Sequence, residues 1–507
     1  MRSLVSFVQK IVRWPGARGL VVAQLPTLLP APLPALLLAL VLALSGCATP
    51  AIEPPPQPTP PTQFRWPLPD LIPGIGRFAE AAPAEAQPRG QWWRVFRDPV
   101  LDDLVERSGR SNNDLAQAAA RLAQAQALVR TADADRAPQI GIGAAADRAA
   151  GANVPGGPAP RSLFQGGANL SYELDLFGRI ARAGDAARLD ALAREALLQS
   201  TRLLVQGEAA QTYLALRALD DERALVREAV DAYRHTLDLT RRRERAGDVG
   251  ELDVVRVSAE LASNESDALA IDRQRATFET ALAVLVGEAA SDFSLAPASW
   301  SSTLPQIPAG VPATLLTRRA DVAAAQARLM AAQARVGIAQ TAWFPSISLT
   351  AAGGFASPEL GDLFQWSARA WGIGALLSLP LFDGGRREAS LQDASARLDE
   401  ALGAYRQQTL VAFKDVEDQL SALQLLQQQA EAQQRAVDAA QRATFLSDSR
   451  YRNGMVSQLD LLDARRSEVR NRRLAVQVRA ARDQATVGLI RALGGGWGEV
   501  AKVADAR

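Results

Sequence analysis

Cysteine and histidine are almost absent from this chain of 507 residues, which holds one of each. That excludes His/Cys metal clusters, zinc sites, Cys–His catalysis and disulfides within one chain. The histidine, His235, stands in a charged helical run and reads as a solvated surface group. A surplus of either charge is also missing, with 56 Lys and Arg against 55 Asp and Glu. No net field draws the chain to nucleic acid or to an acidic surface, so no nucleic-acid partner is expected. Downstream of Cys47 no run of about 18 apolar residues occurs, so no transmembrane helix is expected in the mature chain. The "GGG" at 494–496 does not follow a strand and open a helix, so it is no phosphate loop. No nucleophile, metal or phosphate motif is left, and the chain is expected to be no enzyme, with no catalytic residue, no bound metal and no cofactor beyond a covalent lipid.

That lipid is suggested by "ALLLALVLALSGC" (35–47), an apolar segment ending in small residues and preceded by Lys10, Arg13 and Arg18. It is too short to span a bilayer and reads as the core of a signal peptide, residues 1–46. "Leu44-Ser45-Gly46-Cys47" resembles the lipobox of bacterial lipoproteins, in which Cys47 becomes the lipidated first residue; an ordinary secretory signal with a chance cysteine is the alternative. The segment before it is long and holds Pro15, Pro26, Pro30, Pro32 and Pro34, so translation is expected to begin further downstream. The Pro-rich stretch that follows suits an extended tether over 47–90.

The rest of the chain repeats itself. "DLAQAAARLAQ" from Asp114 and "DVAAAQARLMA" from Asp321 align at an offset of 207, as do Pro138/Pro345, Gly247/Gly454, Leu252/Leu459, Asp253/Asp460 and Gly287/Gly494. Between them, "DLF" at 175–177 meets "PLF" at 380–382 at an offset of 205. The mature chain is one unit used twice. The first copy is expected over 91–287 and the second over 321–497, joined by a Pro-, Ser- and Ala-rich linker at 288–320 and followed by a tail at 498–507. Each copy reads as an Ala-rich helix, a proline that ends it, two alternating strands and a very long helical run.

The strands carry one apolar side. Ala168, Leu170, Tyr172, Leu174 and Leu176 alternate with polar residues, as do Ile347, Leu349 and Ala351; Trp371, Ile373, Ala375, Leu377, Leu379 and Leu381 share a face. Membrane β-barrel strands need this pattern, although a half-buried strand in a soluble sandwich alternates too. Four strands cannot close a barrel, and lipid does not tolerate open edges. If these strands enter a membrane, several chains must share one barrel.

The helical runs are long. From about 180 to 245 there is no proline, enough for roughly 100 Å of helix. In the second copy Leu398, Leu402, Tyr405, Thr409, Val416 and Leu423 follow heptad spacing, and a weaker stripe of Leu410, Phe413 and Leu420 is rotated from it. Two seams on one helix predict neighbours on two sides, as in the wall of a tube.

Six ordered motifs now carry a resemblance: "WWRVFRDPVLDDLV" (92–105), "YELDLFGRI" (172–180), "LPQIPAGVPATLLTRRADV" (304–322), "PLFDGGRR" (380–387), "YRNGMVSQLDLLDARR" (451–466) and "ALGGGW" (492–497). Together they resemble the TolC-type outer membrane factor family, in its lipoprotein branch serving drug-efflux pumps. The resemblance implies a fold mainly α with β: a trimeric twelve-stranded transmembrane β-barrel continued by a long periplasmic α-helical barrel, each chain a tandem repeat of helix, strand, strand and helix. It places the 288–320 linker in a belt near the tube's middle. Ala320 departs from the proline that often precedes this Asp in the family, which predicts only a softer helix start.

The implied function is the exit duct of a tripartite efflux pump in the outer membrane. Its partners would be two further copies of the chain, outer membrane lipid, a periplasmic adaptor and an inner-membrane transporter that expels drugs or other small toxic compounds. The breaks at 246–251 and 453–458 then become turns at the periplasmic tips, where Gly247 and Gly454 stop the incoming helix and Ser457 or Asp460 favours the outgoing one. Gly247, Val249, Gly250, Gly454, Met455, Val456 and Ser457 are expected to meet the adaptor. Leu459, Asp463 and Arg466 fall on one helical face and are expected to narrow the pore, with Arg450 and Tyr451 pairing to the neighbouring hairpin in the closed state. Arg256 occupies Asp463's place in the first copy and could neutralise it. Glu173 and Asp175 are expected to line the barrel lumen. A type I protein secretion channel and a lipid-anchored periplasmic coiled-coil scaffold are the alternatives.

Overall fold

In the computed structural model, residues 64–65, 90–150, 159–300 and 318–495 are described. The signal peptide, Cys47, all of the 47–90 tether but residues 64, 65 and 90, linker residues 301–317 and the 498–507 tail lie outside them.

A short 3-10 turn, Trp92–Phe96, leads into α1 (Pro99–Ser111), α2 (Asn113–Ala134), β1 (Gln139–Ala149), β2 (Arg161–Leu174), α3 (Arg179–Arg245) and α4 (Glu251–Leu285). The second copy supplies α5 (Ala320–Thr341), β3 (Ser346–Ser357), β4 (Arg369–Ser378), α6 (Arg386–Arg452) and α7 (Gln458–Ala492). Both ends of α2 and α5, of α3 and α6, and of α4 and α7 stand 207 residues apart. The prolines act as expected, since β1 and β3 each begin on the residue after Pro138 or Pro345. The second strand of each copy stops earlier than its alternation suggests, leaving Leu176, Leu379 and Leu381 outside the ladder. The Leu176 N–H turns back to the Leu174 carbonyl at 2.9 Å, and Pro380 has no N–H to give.

The two longest helices, α3 and α6, have 67 residues each and reach about 100 Å. The shorter helices pack beside them in two tiers. Nearer the sheet the order is α2, α3, α5, α6, marked by ion pairs Arg188–Asp133 and Arg335–Asp190. Toward the turns it is α4, α3, α7, α6, marked by Arg223–Asp272 and Arg473–Glu222. The result is a wall one helix thick. Tyr405, Thr409 and Val416 are buried within it, with Leu398 and Leu402 packed alongside. The rotated stripe divides: Leu420 joins the chain's own core, whereas Leu410 stays 62% exposed.

The core at the waist gathers Trp92, Trp93, Phe96, Leu101 and Leu104 onto Tyr213 and Leu216 of α3 and Leu489 and Ile490 of α7. Asp98 caps α1 by accepting from Val100 N at 2.9 Å, and also accepts a hydrogen bond from the Tyr213 hydroxyl at 2.6 Å. The tether returns here, because Phe64 packs into this core and Arg65 N donates to Glu417 at 2.6 Å. Ala320 opens α5 without a side-chain cap; Arg319 anchors the start by donating to Asp321 (2.7 Å), Asp415 (3.0 Å) and the Ala492 carbonyl (3.1 Å).

A buried charge network that no motif announced ties in the described part of the linker. Asp220 accepts from Arg217 at 2.9 Å, Arg275 at 2.7 Å and Ala298 N at 3.2 Å. Arg217 also reaches the Ala296 carbonyl, and Arg479 stacks on Trp300. Without Asp220, Arg217 would be a buried cation with no carboxylate beside it, whereas Arg275 keeps Glu279 at 3.0 Å; the bonds to Ala296 and Ala298 tie the linker to this network.

Asp483 of α7 is the exception to this pairing. It is 1% exposed and its Oδ2 has no hydrogen-bond partner. Burial pushes its carboxyl up to about 7, against the pull of Arg479 and Arg482. Below about pH 4 the group is protonated folded or unfolded and costs nothing. Between pH 4 and 7 the unfolded chain releases the proton and the folded chain keeps it, so stability falls as pH rises. Asp483→Asn should therefore raise the free energy of unfolding at pH 8, by at most about 4 kcal/mol per chain, and change it little near pH 4. An equal effect at both pH values would contradict this account of the buried carboxyl.

Candidate functional site: the sheet face and the helix tips

The four strands form one antiparallel sheet in the order β1-β2-β3-β4. Its register sets the apolar columns side by side: Ile140 opposite Leu170, Leu170 opposite Ala351, and Ala351 opposite Ile373. The neighbouring column runs Ile142, Ala168, Gly353 and Trp371. Tyr172, Leu349 and Ala375 continue the same face, which Leu174, Ile347 and Leu377 complete. The opposite face carries Gln139, Asn169, Ser171, Ser348 and Thr350. In a single chain the apolar face is bare, with Ile142 90% and Trp371 76% exposed. A continuous apolar face of this size in water would be a liability, and it is the surface a lipid-facing sheet requires. No described helix is long and apolar enough to cross a membrane.

Glu173 and Asp175 do not stand free on the polar face. Asp175 lies past the end of β2, and its carboxylate accepts the backbone N–H groups of Ile180 (3.0 Å) and Ala181 (2.7 Å), capping α3. Glu173 is held bidentately by Arg179 at 3.0 and 2.8 Å. Both therefore fasten the strand–helix junction. The α3 N-terminus, where Gly178 offers no side chain, attracts the Asp175 carboxylate, whereas Glu173 is drawn to the Arg179 guanidinium. Asp383 does the same work in the second copy, accepting from Gly385 N and from Arg387.

At the far end of the helices both turns are built alike. Gly247 and Gly454 have φ of +81° and +69°. Gly247 N donates to the Glu244 carbonyl and Asp248 N to Arg243; Gly454 N donates to Tyr451 and Met455 N to Arg450, all at 2.9–3.0 Å. These are paired Schellman closures, which satisfy the last carbonyls of α3 and α6. The outgoing helices differ. Gly250 offers α4 no side-chain cap, whereas Ser457 forms a capping box with Asp460: the Ser457 hydroxyl accepts from Asp460 N at 3.2 Å and the carboxylate accepts from Ser457 N at 2.9 Å. Hydrogen bonds from Ser457 hold the Asp460 carboxyl below its ordinary range. Met455 is 66% exposed, and Val249 and Val456 are half-buried.

Leu459, Asp463 and Arg466 are all exposed, opposite the buried Leu461 and Leu462. Arg466 forms ion pairs with Asp463 at 3.3 Å and with Glu260 of α4. Arg256 instead turns to Asp253 on its own helix, 3.8 Å away, so within the chain Asp463's cation is Arg466 and not Arg256. A three-residue step along one helix suits that pairing. Within the chain, the Tyr451 hydroxyl accepts from Arg243 of the other hairpin at 2.8 Å and its ring lies 5.6 Å from that guanidinium. Arg243 is the first-copy counterpart of Arg450, whose own side chain is exposed. Arg243 and Glu260 were not singled out from the sequence; only the 207-residue offset could have pointed to Arg243.

Two stretches of the chain, 104–288 and 311–495, match the model of a family described as outer membrane efflux protein. The chain belongs to that family. The two matched stretches are themselves 207 residues apart. The pyoverdine export outer membrane protein OpmQ of Pseudomonas aeruginosa is 34% identical over 84% of this chain and 91% of its own length. The probable outer membrane lipoprotein SilC of Salmonella typhimurium is 28% identical over 90% of this chain and 96% of its own. Among solved structures the outer-membrane channel OprN superposes with a TM-score of 0.79 at 30% identity, covering 88% of this chain and 100% of that one. An outer membrane efflux protein with this tandem repeat of helix, strand, strand and helix is a channel component of the outer membrane, and the non-channel scaffold reading falls.

Ser457→Ala should open the second tip selectively, because the first never had a side-chain cap. Amide exchange at Asp460 and Leu461 should quicken roughly fivefold, with no change at Glu251–Asp253. The depressed Asp460 carboxyl contributes above about pH 4 and loses its effect as pH falls through its folded value, so the difference between the two proteins should narrow in acid, leaving the part due to the bond from Asp460 N–H to the Ser457 hydroxyl. Equal exchange at neutral pH would contradict the capping role.

Proposed function

We infer that three copies of this chain close into one twelve-stranded barrel and serve as the exit duct of a tripartite efflux pump. The observation that carries this reading is the sheet: one face apolar but for its far rim and largely exposed, and two edge strands whose outer N–H and C=O groups have no partner among the described residues. In hydrocarbon such edges must pair, and three four-stranded sheets give twelve strands, well above the minimum for a membrane barrel. The wall of helices one layer thick continues that barrel, and the exposed Leu410 suits contact with a neighbouring chain.

At the tips, Gly247, Val249, Gly250, Gly454, Met455, Val456 and Ser457 present short, firmly closed turns to a periplasmic adaptor, which couples the duct to an inner-membrane transporter. Just inside, Leu459 supplies an apolar ring and Asp463 an acidic one, each repeated three times by symmetry, with Arg466 beside the acid. Arg243 and Tyr451 clasp the two hairpins of each chain, and Arg450 faces the next. A lipid on Cys47 fastens the chain to the membrane. The lipobox-like segment and the efflux relatives favour a pump for drugs or other small toxic compounds over a protein secretion channel. The transporter chooses the substrate, because a duct of this width selects little.

Purified protein added to planar bilayers should give discrete, cation-preferring conductance. Leu459→Ala with Asp463→Ala should raise the conductance severalfold and weaken the cation preference. Bilayers that stay silent with both proteins would contradict the channel reading.

A further inference from the structure

On the apolar face of the sheet, charge occurs at only two places. Following the register, that face carries Ile140, Ile142, Ala144, Ala146 and Arg148 on β1, and Arg369, Trp371, Ile373, Ala375 and Leu377 on β4. The stretches of β2 and β3 between them contribute only Ser162, Phe164, Gly166, Ala168, Leu170, Tyr172 and Leu174, and Ile347, Leu349, Ala351, Gly353, Phe355 and Ser357. Both charged residues are arginines, both stand at the end of the sheet away from the helices, and both lie on edge strands. The acid nearest to Arg148, Asp147, points to the other face.

Neither arginine has an ion-pair partner among the described residues. Arg369 is nevertheless held in place: its guanidinium lies 4.7 Å from the Trp366 ring centre and donates to the Trp366 carbonyl at 3.1 Å. The loop between β3 and β4 that supplies Trp366 also presents Phe364, whose ring meets Phe355 edge-on at 5.8 Å. Trp366 and Phe364 are 76% and 79% exposed. Two acids share this loop, Glu359 and Asp362, and Asp362 accepts from Gln365 at 2.6 Å. Exposed aromatics above an apolar face mark the level of lipid headgroups. A guanidinium at that depth is positioned for the anionic group found there, a phosphate, which it grips through parallel N–H donors.

We propose that the outer rim of the lipid face binds the phosphate groups of an outer-leaflet lipid, through Arg369 and Trp366 of one chain and Arg148 of the next. This rests on the three-chain barrel inferred above. Closing that barrel joins β4 of one copy to β1 of its neighbour, about 4.8 Å apart, and brings the two arginines to the same end of each seam. A single chain holds them at opposite edges of its sheet. The site is thus made three times per barrel and only by assembly, and a bound phosphate would clamp each seam.

The test uses the full chain and an Arg148→Gln/Arg369→Gln variant, both in detergent, with lipopolysaccharide or the same lipid stripped of its phosphates. Native mass spectrometry reads bound lipid, and heating in SDS reads dissociation of the trimer. Wild type should retain the phosphorylated lipid at least tenfold better than the variant and dissociate at a higher temperature in its presence, and the dephosphorylated lipid should give neither effect. Equal retention by both proteins, or of both lipids, would overturn the proposal. Planar-bilayer conductance measured on the same preparations separates the two readings. Conductance without lipid discrimination removes only the rim site, whereas wild type that neither forms trimers nor conducts removes both.

Discussion

A strand in hydrocarbon has no water to turn to, so every backbone N–H and C=O along it must be bonded within the protein. β1 and β4 violate this on their outer sides, although β2 and β3 are paired on both. The remaining architecture follows from repairing that fault with further copies of the same chain. Closure with identical copies makes each seam a β4–β1 contact, sends the apolar face outward around the whole circumference and puts Gln139, Asn169, Ser171 and Thr350 toward the lumen. It also carries each chain's share of the helical wall into a ring, where a layer one helix thick finds the second neighbour that its exposed residues need.

Duplication supplies the means. Six helices pair off as three sets with both ends in register, and each long helix ends in the same two crossed hydrogen bonds after a glycine. The copies then diverge where a pore would need asymmetry. Only the second has a capping box, only the second has the acid at 463, and the first places Arg256 there and satisfies it locally with Asp253. A ring built from both copies would alternate these two kinds of hairpin. Arg243 to Tyr451 and Arg466 to Glu260 are the contacts by which the hairpins of one chain hold each other.

Much of this was legible in the residues. Pro138 and Pro345 marked the helix–strand boundaries, the glycines at 247 and 454 marked the turns, and period-two alternation marked the apolar face, because each depends on a local backbone or pairing rule. Local rules gave less at the junctions and between distant helices. Asp175 and Glu173 continue the polar alternation, yet Asp175 caps the N-terminus of α3 and Glu173 pairs with Arg179. Leu176 and Leu379 continue the apolar alternation, yet a backbone turn ends the ladder at the first and Pro380, which has no N–H, follows the second. The Asp220–Arg217–Arg275 network, the lone Asp483 and the partners of Arg466 and Tyr451 depend on which helix lies beside which. Spacing along a single helix does not contain that information.

The central claim is that edge strands of different copies, and not of one, meet in a shared barrel. Disulfide trapping addresses it directly, in a chain whose only cysteine is Cys47. One cysteine would be fixed at Ile373 on β4 and a second moved along β1 from Gln139 to Ala149. Within a chain, β1 and β4 are separated by two strands, about 14 Å across the sheet, too far for a disulfide. Oxidation should therefore give covalent species of two and three chains and none larger, at a narrow set of β1 positions, with no product from either cysteine alone. Absence of any cross-link between chains along the whole of β1, or ladders running past three, would contradict the closed three-chain barrel.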